Sequence, residues 1–422
     1  MRQVCLKILP QSLLVAAALS GCGGSATPQP LQPDSNHLSA TPAALGSGPT
    51  AGDAPKVTSE DMAFTVASKD AARDVKAANV RYLSLAHLQS AGAPADQLTA
   101  VRKGTAKLFN SLSWAPALVA PVVVDAGSLL LKINLADYGW SVQMWETLVA
   151  AHPSPVATTP GLGTLQQATG STKPLIRADW FVASASTPPL YYTLWQAPAD
   201  VTALESMLKM DLKADVANGQ VIRAGLSKSN ISTNDRVIER HNRATGYLWR
   251  SFEFGSRTGT RDIFSFPLGS GGSETNTAQQ GGLLGSLLGG STGSSNGQST
   301  FTADGTEYIF TLPNGMLAFY IAGGNGARLN QVPGAASPIL AGAGCMGCHS
   351  KATVQATDEM IAKTRVTGDA LTAVRKLYVD AATFSRQVSG DSAAYVTALA
   401  KLGIAATDAD PVSYVAKLSN GK

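Results

Sequence analysis

The chain has 422 residues, 44% of them hydrophobic and 15% charged, with a formal net charge of +4 at pH 7. That length supports two domains with ordinary hydrophobic cores. Basic and acidic residues are mixed along the chain without a dense Lys/Arg tract or a nucleic-acid motif, so nucleic acid is not an expected partner.

The N-terminus reads as a secretion signal. Arg2 and Lys7 supply positive charge, and Ile8 to Leu19 is mostly apolar, interrupted by Pro10, Gln11 and Ser12. The stretch is too short and broken for a membrane-spanning helix. It ends Leu19-Ser20-Gly21-Cys22, which resembles the bacterial lipobox, where the cysteine is acylated and becomes the mature N-terminus. The alternative is an ordinary signal peptide with an incidental cysteine. Several acyl chains on Cys22 would hold the protein firmly, where one alone is marginal. Gly23 after the cysteine, by resemblance to Gram-negative sorting rules, favours the outer membrane. The expected organisation is a signal peptide over 1–21 and a flexible tether over 22–58, rich in Gly, Ala, Ser, Thr and Pro. His37 in the tether reads as solvated.

A globular composition begins near residue 59. Asn79 to Gln89 reads as a helix on Val80, Leu83, Leu85 and Leu88, with His87 as a core histidine. Pro94 opens a longer helix to about Leu112. Pro121 to Asp125 and Leu129 to Leu135 read as strands around a turn at Ala126-Gly127. Val142 to Ala151 reads as a helix, with His152 at its end as a cap, and Ile176 to Ser184 as a strand. Thr202 with Glu205 matches a capping box for a short helix. Val237 to Arg240, Tyr247 to Phe254, Glu307 to Leu312 and Leu317 to Ala322 are strand-like. Pro313-Asn314-Gly315 joins the last two as a hairpin turn. Residues 269–300 are Gly-, Ser-, Thr- and Asn-rich and read as an insertion in a strand-to-strand loop. Gly323 to Gly344 is loop-like. Helices are expected over Thr357 to Lys363, Gly368 to Ala381 and Ala393 to Leu402, the last capped by Asp391 or Ser392. The expected fold is α+β: a long mixed domain over 59–335, then a small, mostly helical haem domain over 336–422.

The haem expectation comes from Cys345-Met346-Gly347-Cys348-His349. Two thiols three residues apart each bond one vinyl group of a haem, and the next histidine ligates its iron. Half of a zinc site, which needs one more ligand, and a chance string are the competing readings. Export favours haem c, and no second Cys or His cluster lies nearby in sequence to complete a zinc site. One such string implies one covalent haem c, with Cys345 and Cys348 as anchors and His349 as proximal ligand. Of the chain's four cysteines, Cys5 lies in the leader and Cys22 is the lipidation candidate, so no thiol is left for a structural disulfide.

Together, leader and haem string look like a lipoprotein c-type cytochrome. Arg81-Tyr82-Leu83 with His87, Asn110-Ser111-Leu112-Ser113-Trp114, Asp137-Tyr138-Gly139-Trp140, Ala178-Asp179-Trp180-Phe181, Ile238-Glu239-Arg240-His241 and Leu312-Pro313-Asn314-Gly315 also carry a resemblance. They are similar to a largely uncharacterised family of exported bacterial proteins with a C-terminal haem site after a long α+β region. The resemblance covers most of residues 78–350 and implies a protein type rather than a reaction. The insertion at 269–300 departs from that pattern.

The distal side of the iron decides function. Small mitochondrial-type cytochromes c place a helix just before the haem string and a distal methionine several tens of residues after it. Here the preceding stretch is Gly/Ala/Pro-rich, and the only later methionine is Met360. The distal candidates are His241, Met360 and Met316, with His87 behind them; Tyr, Lys or an open site complete the set. Methionine or histidine favours outer-sphere electron transfer to a periplasmic partner protein. An open site favours a peroxidase-like enzyme, which wants a distal acid/base and a charge-stabilising Arg; His241 and Arg240 could fill those roles together, as could many other Arg–His neighbours. A haem sensor or binding lipoprotein is the third possibility. No HExxH, Walker-type loop, GxSxG or dinucleotide fingerprint points to other chemistry.

Overall fold

The computed structural model describes residues 55–152, 159–229, 233–255, 262–268, 303–333, 335 and 337–420. The leader, Cys22, most of the tether with His37, and the segment 269–300 lie outside the described residues. Among the described residues no helix is long and apolar enough to cross a membrane.

A mixed layer comes first. Its helices are α1 (Glu60–Ala71), α2 (Ala86–Ser90), α3 (Ala95–Ser111), α4 (Val142–Ala150), α5 (Leu162–Thr169), α6 (Ala178–Ala185), α7 (Leu190–Leu194), α8 (Val201–Leu208) and α9 (Leu212–Ala217). Side chains cap several of them: Ser59, Ser141, Asp200 and Asp211 each accept from a backbone N–H of the first turn. The cap of α8 is therefore Asp200 rather than Thr202. Strands β1 (Val80–Ser84), β2 (Val122–Val123), β3 (Leu130–Asn134) and β4 (Leu175–Arg177) form a sheet in the order β2-β3-β1-β4. β1 runs antiparallel to β3 and parallel to β4.

Two expectations fail here, and the burial of β1 explains the first. Asn79 to Gln89 is not a helix but β1 followed by the short α2, and Ile176 to Ser184 is the last two residues of β4 running into α6. All five residues of β1 are buried. A central strand covered on both faces has no period-two alternation, so its apolar run passes for a helix face.

The second sheet is a meander of β5 (Val221–Leu226), β6 (Asp235–Arg243), β7 (Gly246–Phe254), β8 (Gly305–Thr311) and β9 (Leu317–Gly323). Each strand pairs antiparallel with the next. Both faces are covered, and every residue of β9 is buried. The segment 269–300 falls between β7 and β8 in sequence. Helices and these two sheets together make an α+β fold.

Five helices complete the chain: α10 (Ala343–Cys348), α11 (Met360–Lys363), α12 (Gly368–Leu377), α13 (Ala381–Lys401) and α14 (Pro411–Asn420). Helix α13 runs through the expected cap position. Its cap is Asp380, and Asp391 is buried in mid-helix. Helix α14, not anticipated from the sequence, packs on α3, α6 and α10.

That packing revises the expected division between 59–335 and 336–422. One buried apolar cluster runs from Val57 to Ala416 and includes Cys345 and Met346. Lys107 of α3 pairs with Asp410 at full burial, and Lys103 pairs with Asp408 at 2.6 Å. Breaking a buried pair such as Lys107–Asp410 leaves an uncompensated charge, at a cost of roughly 3–5 kcal/mol. Helices α10, α13 and α14 are thus part of the main core. A smaller core holds Val221, Val237, Phe252, Met360, Val374 and Leu377.

Candidate functional site

Cys345-Met346-Gly347-Cys348-His349 forms the C-terminal part of α10 and its cap, His349. The helix is one and a half turns long, with Met346 N bonded to Gly342 O and His349 N to Cys345 O, both at 2.8 Å. Cys345 and Cys348, three residues apart, project near one side of it. Both thiols are free; Cys345 is buried and Cys348 exposed. Burial, reinforced by the nearby Glu307 carboxylate, pushes the Cys345 thiol up, so it stays protonated.

Two glycines allow this placement. Gly342 has φ +81°, and a Cβ there would strike the Ser186 carbonyl and come within 2.9 Å of the Tyr191 ring. The helix start is thereby pressed against α7. A Cβ on Gly347 would lie 2.9 Å from Ser413 Oγ of α14, so the position between the thiols must be small.

His349 follows directly. Its Nδ1 lies 3.1 Å from the Ala352 carbonyl. A carbonyl only accepts, so Nδ1 carries the proton and Nε2 is the nitrogen with a lone pair for a metal. The ring sits 6.0 Å from the Phe319 ring of β9. Burial holds its pKa below the usual histidine range, with Arg236 adding to the effect and Glu307 opposing it. This favours the neutral, ligating imidazole. Among the described residues no group of three or more His, Cys, Asp or Glu side chains is arranged to hold a metal ion. A haem asks less of the chain, because the porphyrin supplies four nitrogens and the protein only axial ligands. Free thiols one helical turn apart and a histidine with Nε2 available fit that group.

Strand register sorts every other candidate. Residues aligned across a sheet share a face, and their neighbours along the strand take the other. Phe319 aligns with Ile309, Trp249 and Arg240, and Ile321 aligns with Glu307, Ser251 and Ile238. These residues form the haem-string face. His241 aligns with Leu248 and Phe310 on the opposite face.

His241 is therefore corrected from distal ligand to structural residue. Its Nδ1 lies 2.8 Å from Asp215 and its Nε2 2.6 Å from Glu239, so neither nitrogen is open to a metal. Glu239 is also held by Arg223 at 2.5 Å and by Arg250. Burial opposes the Glu239 charge, but Arg223, Arg250 and His241 outweigh it and hold the carboxyl well below its usual range.

Met360 is corrected in the same way. It is fully buried in the smaller core with Val237 and Phe252, and a Cβ on Gly225, which aligns with Val237, would lie 2.7 Å from its methyl. Met316 closes the β8–β9 hairpin, accepting at its carbonyl from Leu312 N at 2.7 Å. Alternation along β9 gives it the face of Ala318 and Phe310, not that of Phe319.

The expected Arg240–His241 pair is likewise split by the pleat. Arg240 lies on the haem-string face, but its Nε and Nη2 are bonded to Asp391 of α13 at 2.8 and 2.9 Å. Trp249 Nε1 donates to the same carboxylate at 2.7 Å.

His87 faces Asp179 at 2.9 Å and Glu60 at 3.3 Å, a clamp joining α1, α2 and α6. His152 packs against Trp180 with centroids 4.4 Å apart and the rings tilted by 59°.

The sequence reading missed the charged residues that do share the His349 side. Glu307 of β8 acts electrostatically on both Cys345 and His349. Arg236 of β6 acts on His349 and lies 3.4 Å from Glu307, 3.1 Å from Glu253 and 2.8 Å from Ser251 Oγ. Strand alternation counted from Phe319 was the signal for them, but it requires the pairing of four strands.

Compared with protein-family models, with curated proteins and with solved structures, the chain matches none of them.

Proposed function

We propose that this chain is a mono-haem c-type redox protein of the cell envelope that passes single electrons. Cys345 and Cys348 are the thioether anchors and His349 the proximal ligand. The observation that carries the reading is the pairing of two free thiols one helical turn apart with a histidine whose Nδ1 is committed to the Ala352 carbonyl. That second hydrogen bond fixes the tautomer and ring orientation a metal-bound histidine needs.

When bound, the haem supplies the one-electron couple. The chain does the rest. Phe319 backs the imidazole, and the main core around Cys345 and Met346 keeps water from one side of the site. Burial and nearby charges then tune the potential. The exposed Cys348 marks the side on which a periplasmic partner protein reaches the ring edge. Acylation at Cys22 would hold the protein to a membrane, with the outer membrane as the proposed location.

A second reading is an enzyme of peroxidase-like chemistry with an open distal side. It is favoured by one observation: His241, Met360 and Met316 all lie on the sheet face opposite Phe319, while the Glu307 carboxylate stands on the His349 side and is suited to proton handling. Visible spectra of the oxidised and reduced protein, with and without CO and peroxide, separate the two. A low-spin spectrum unmoved by CO supports electron transfer. A high-spin, CO-reactive spectrum overturns it in favour of the enzyme.

A further inference from the structure

A haem brings two carboxylates on one edge of its ring. A carboxylate taken out of water is costly unless cations or hydrogen-bond donors meet it. The place to look is the sheet face beneath His349, where β6, β7 and β8 carry Arg236, Ser251, Glu253 and Glu307.

Arg236 stands out in that cluster. It is buried at 5% exposure. Its Nη1 donates to Ser251 Oγ at 2.8 Å and approaches Glu307 at 3.4 Å, and its Nη2 donates to Glu253 at 3.1 Å. Its Nε–H is buried and has no partner among the described residues. A buried donor left unmade is costly, so an orphan of this kind asks for an acceptor. Arg240, on the same strand and face, shows what such an edge takes. Its Nε and Nη2 hold the Asp391 carboxylate at 2.8 and 2.9 Å. In Arg236 the corresponding Nε carries no acceptor, while Glu253 at Nη2 and Glu307 near Nη1 hold the guanidinium in place.

We propose that Arg236 binds a carboxylate of the haem through this free Nε–H. It is thus a positioning residue that fixes how the ring sits against the five-stranded sheet. The proposal rests on the haem reading above. The bond is charge-assisted, the stronger kind of hydrogen bond.

The test uses the full-length, haem-loaded protein. Wild type is first checked for covalent haem by its pyridine haemochrome spectrum; a protein without covalent haem sinks the haem reading itself. With haem present, resonance Raman spectra are compared for wild type, Arg236→Lys and His87→Gln. Arg236→Lys keeps a charge for Glu253 and Glu307, so the fold is retained, but it lacks the Nε–H edge. The expected result is unchanged haem loading, a shifted propionate-bending band in Arg236→Lys, and the wild-type band in His87→Gln. Arg236→Gln, where it folds, should also lower the midpoint potential by removing a positive charge near the iron. A propionate band in Arg236→Lys identical to wild type overturns the proposal and leaves the haem reading standing.

Discussion

The two faces of the five-stranded sheet are built from the same strands and do different work. On one, Phe319 backs His349, and Glu307 and Arg236 lie within electrostatic reach of it. On the other, His241 is locked between Asp215 and Glu239, and Glu239 between Arg223 and Arg250. Arg240 and His241 are chain neighbours, yet each belongs to a different face and bonds a different helix. Adjacency in a strand separates side chains rather than joining them. On the His241 face, Glu239 gathers Arg223, Arg250 and His241 into one ionic network, with Arg250 Nη2 left without a partner among the described residues. The His349 face has an unpartnered donor too, Arg236 Nε, but beside a histidine whose Nδ1 is committed to a backbone carbonyl.

The largest effect expected is on the His349 face. Replacing Cys345 and Cys348 together by serine should abolish covalent haem, read as loss of the haem-stained band on a denaturing gel. Full retention of haem in that variant would refute the attachment.

The opposite face should respond in stability and not in colour. Glu239→Gln removes the shared partner of Arg223, Arg250 and His241, and is expected to cost roughly 3–5 kcal/mol in denaturant unfolding. The visible spectrum of the protein that still folds should match wild type. A changed axial-ligand signature in Glu239→Gln, or in His241→Gln, would mean that the two faces are not independent.

Gly342→Ala tests the seat of the haem string. The added methyl meets the Ser186 carbonyl and the Tyr191 ring at a positive φ, so a loss of about 1–3 kcal/mol is expected. Haem yield should fall with it. A neutral outcome in thermal unfolding would show that α10 is free to move away from α7.

The smallest effect concerns pH. Burial opposes protonation of His87, but Asp179 and Glu60 outweigh it and raise its pKa above the unfolded value. The charged clamp therefore contributes fully below about pH 6.5 and is lost as pH rises through the raised folded pKa. His87→Gln should flatten that part of the stability–pH curve and leave the haem spectrum alone. An unchanged curve would remove the clamp from the account.

Local patterns in the sequence carried part of this picture. The strands β6 to β9 announce themselves through aromatic and branched residues, and Pro313-Asn314-Gly315 marks the turn of the last hairpin. Cys345-Met346-Gly347-Cys348-His349 is legible because the haem attachment proposed for it needs only five consecutive residues. What depends on distant pairing was hidden. Asp391 looks like a helix cap until Arg240, 151 residues away, is found to bond it. β1 looks like a helix face because it is buried on both sides. The side of the sheet on which His241, Met316 or Met360 falls is set by register across several strands. Arg236 and Glu307 lie in unremarkable strand sequence, and only the pleat brings them to His349.

The central claim is that Cys345 and Cys348 carry one haem. The most direct test is the mass of the peptide spanning Ala343 to Lys351, taken from protein exported by a host with haem c maturation. The account predicts a peptide heavier by one haem, with no thiol open to alkylation. A bare peptide with two alkylatable cysteines would contradict it.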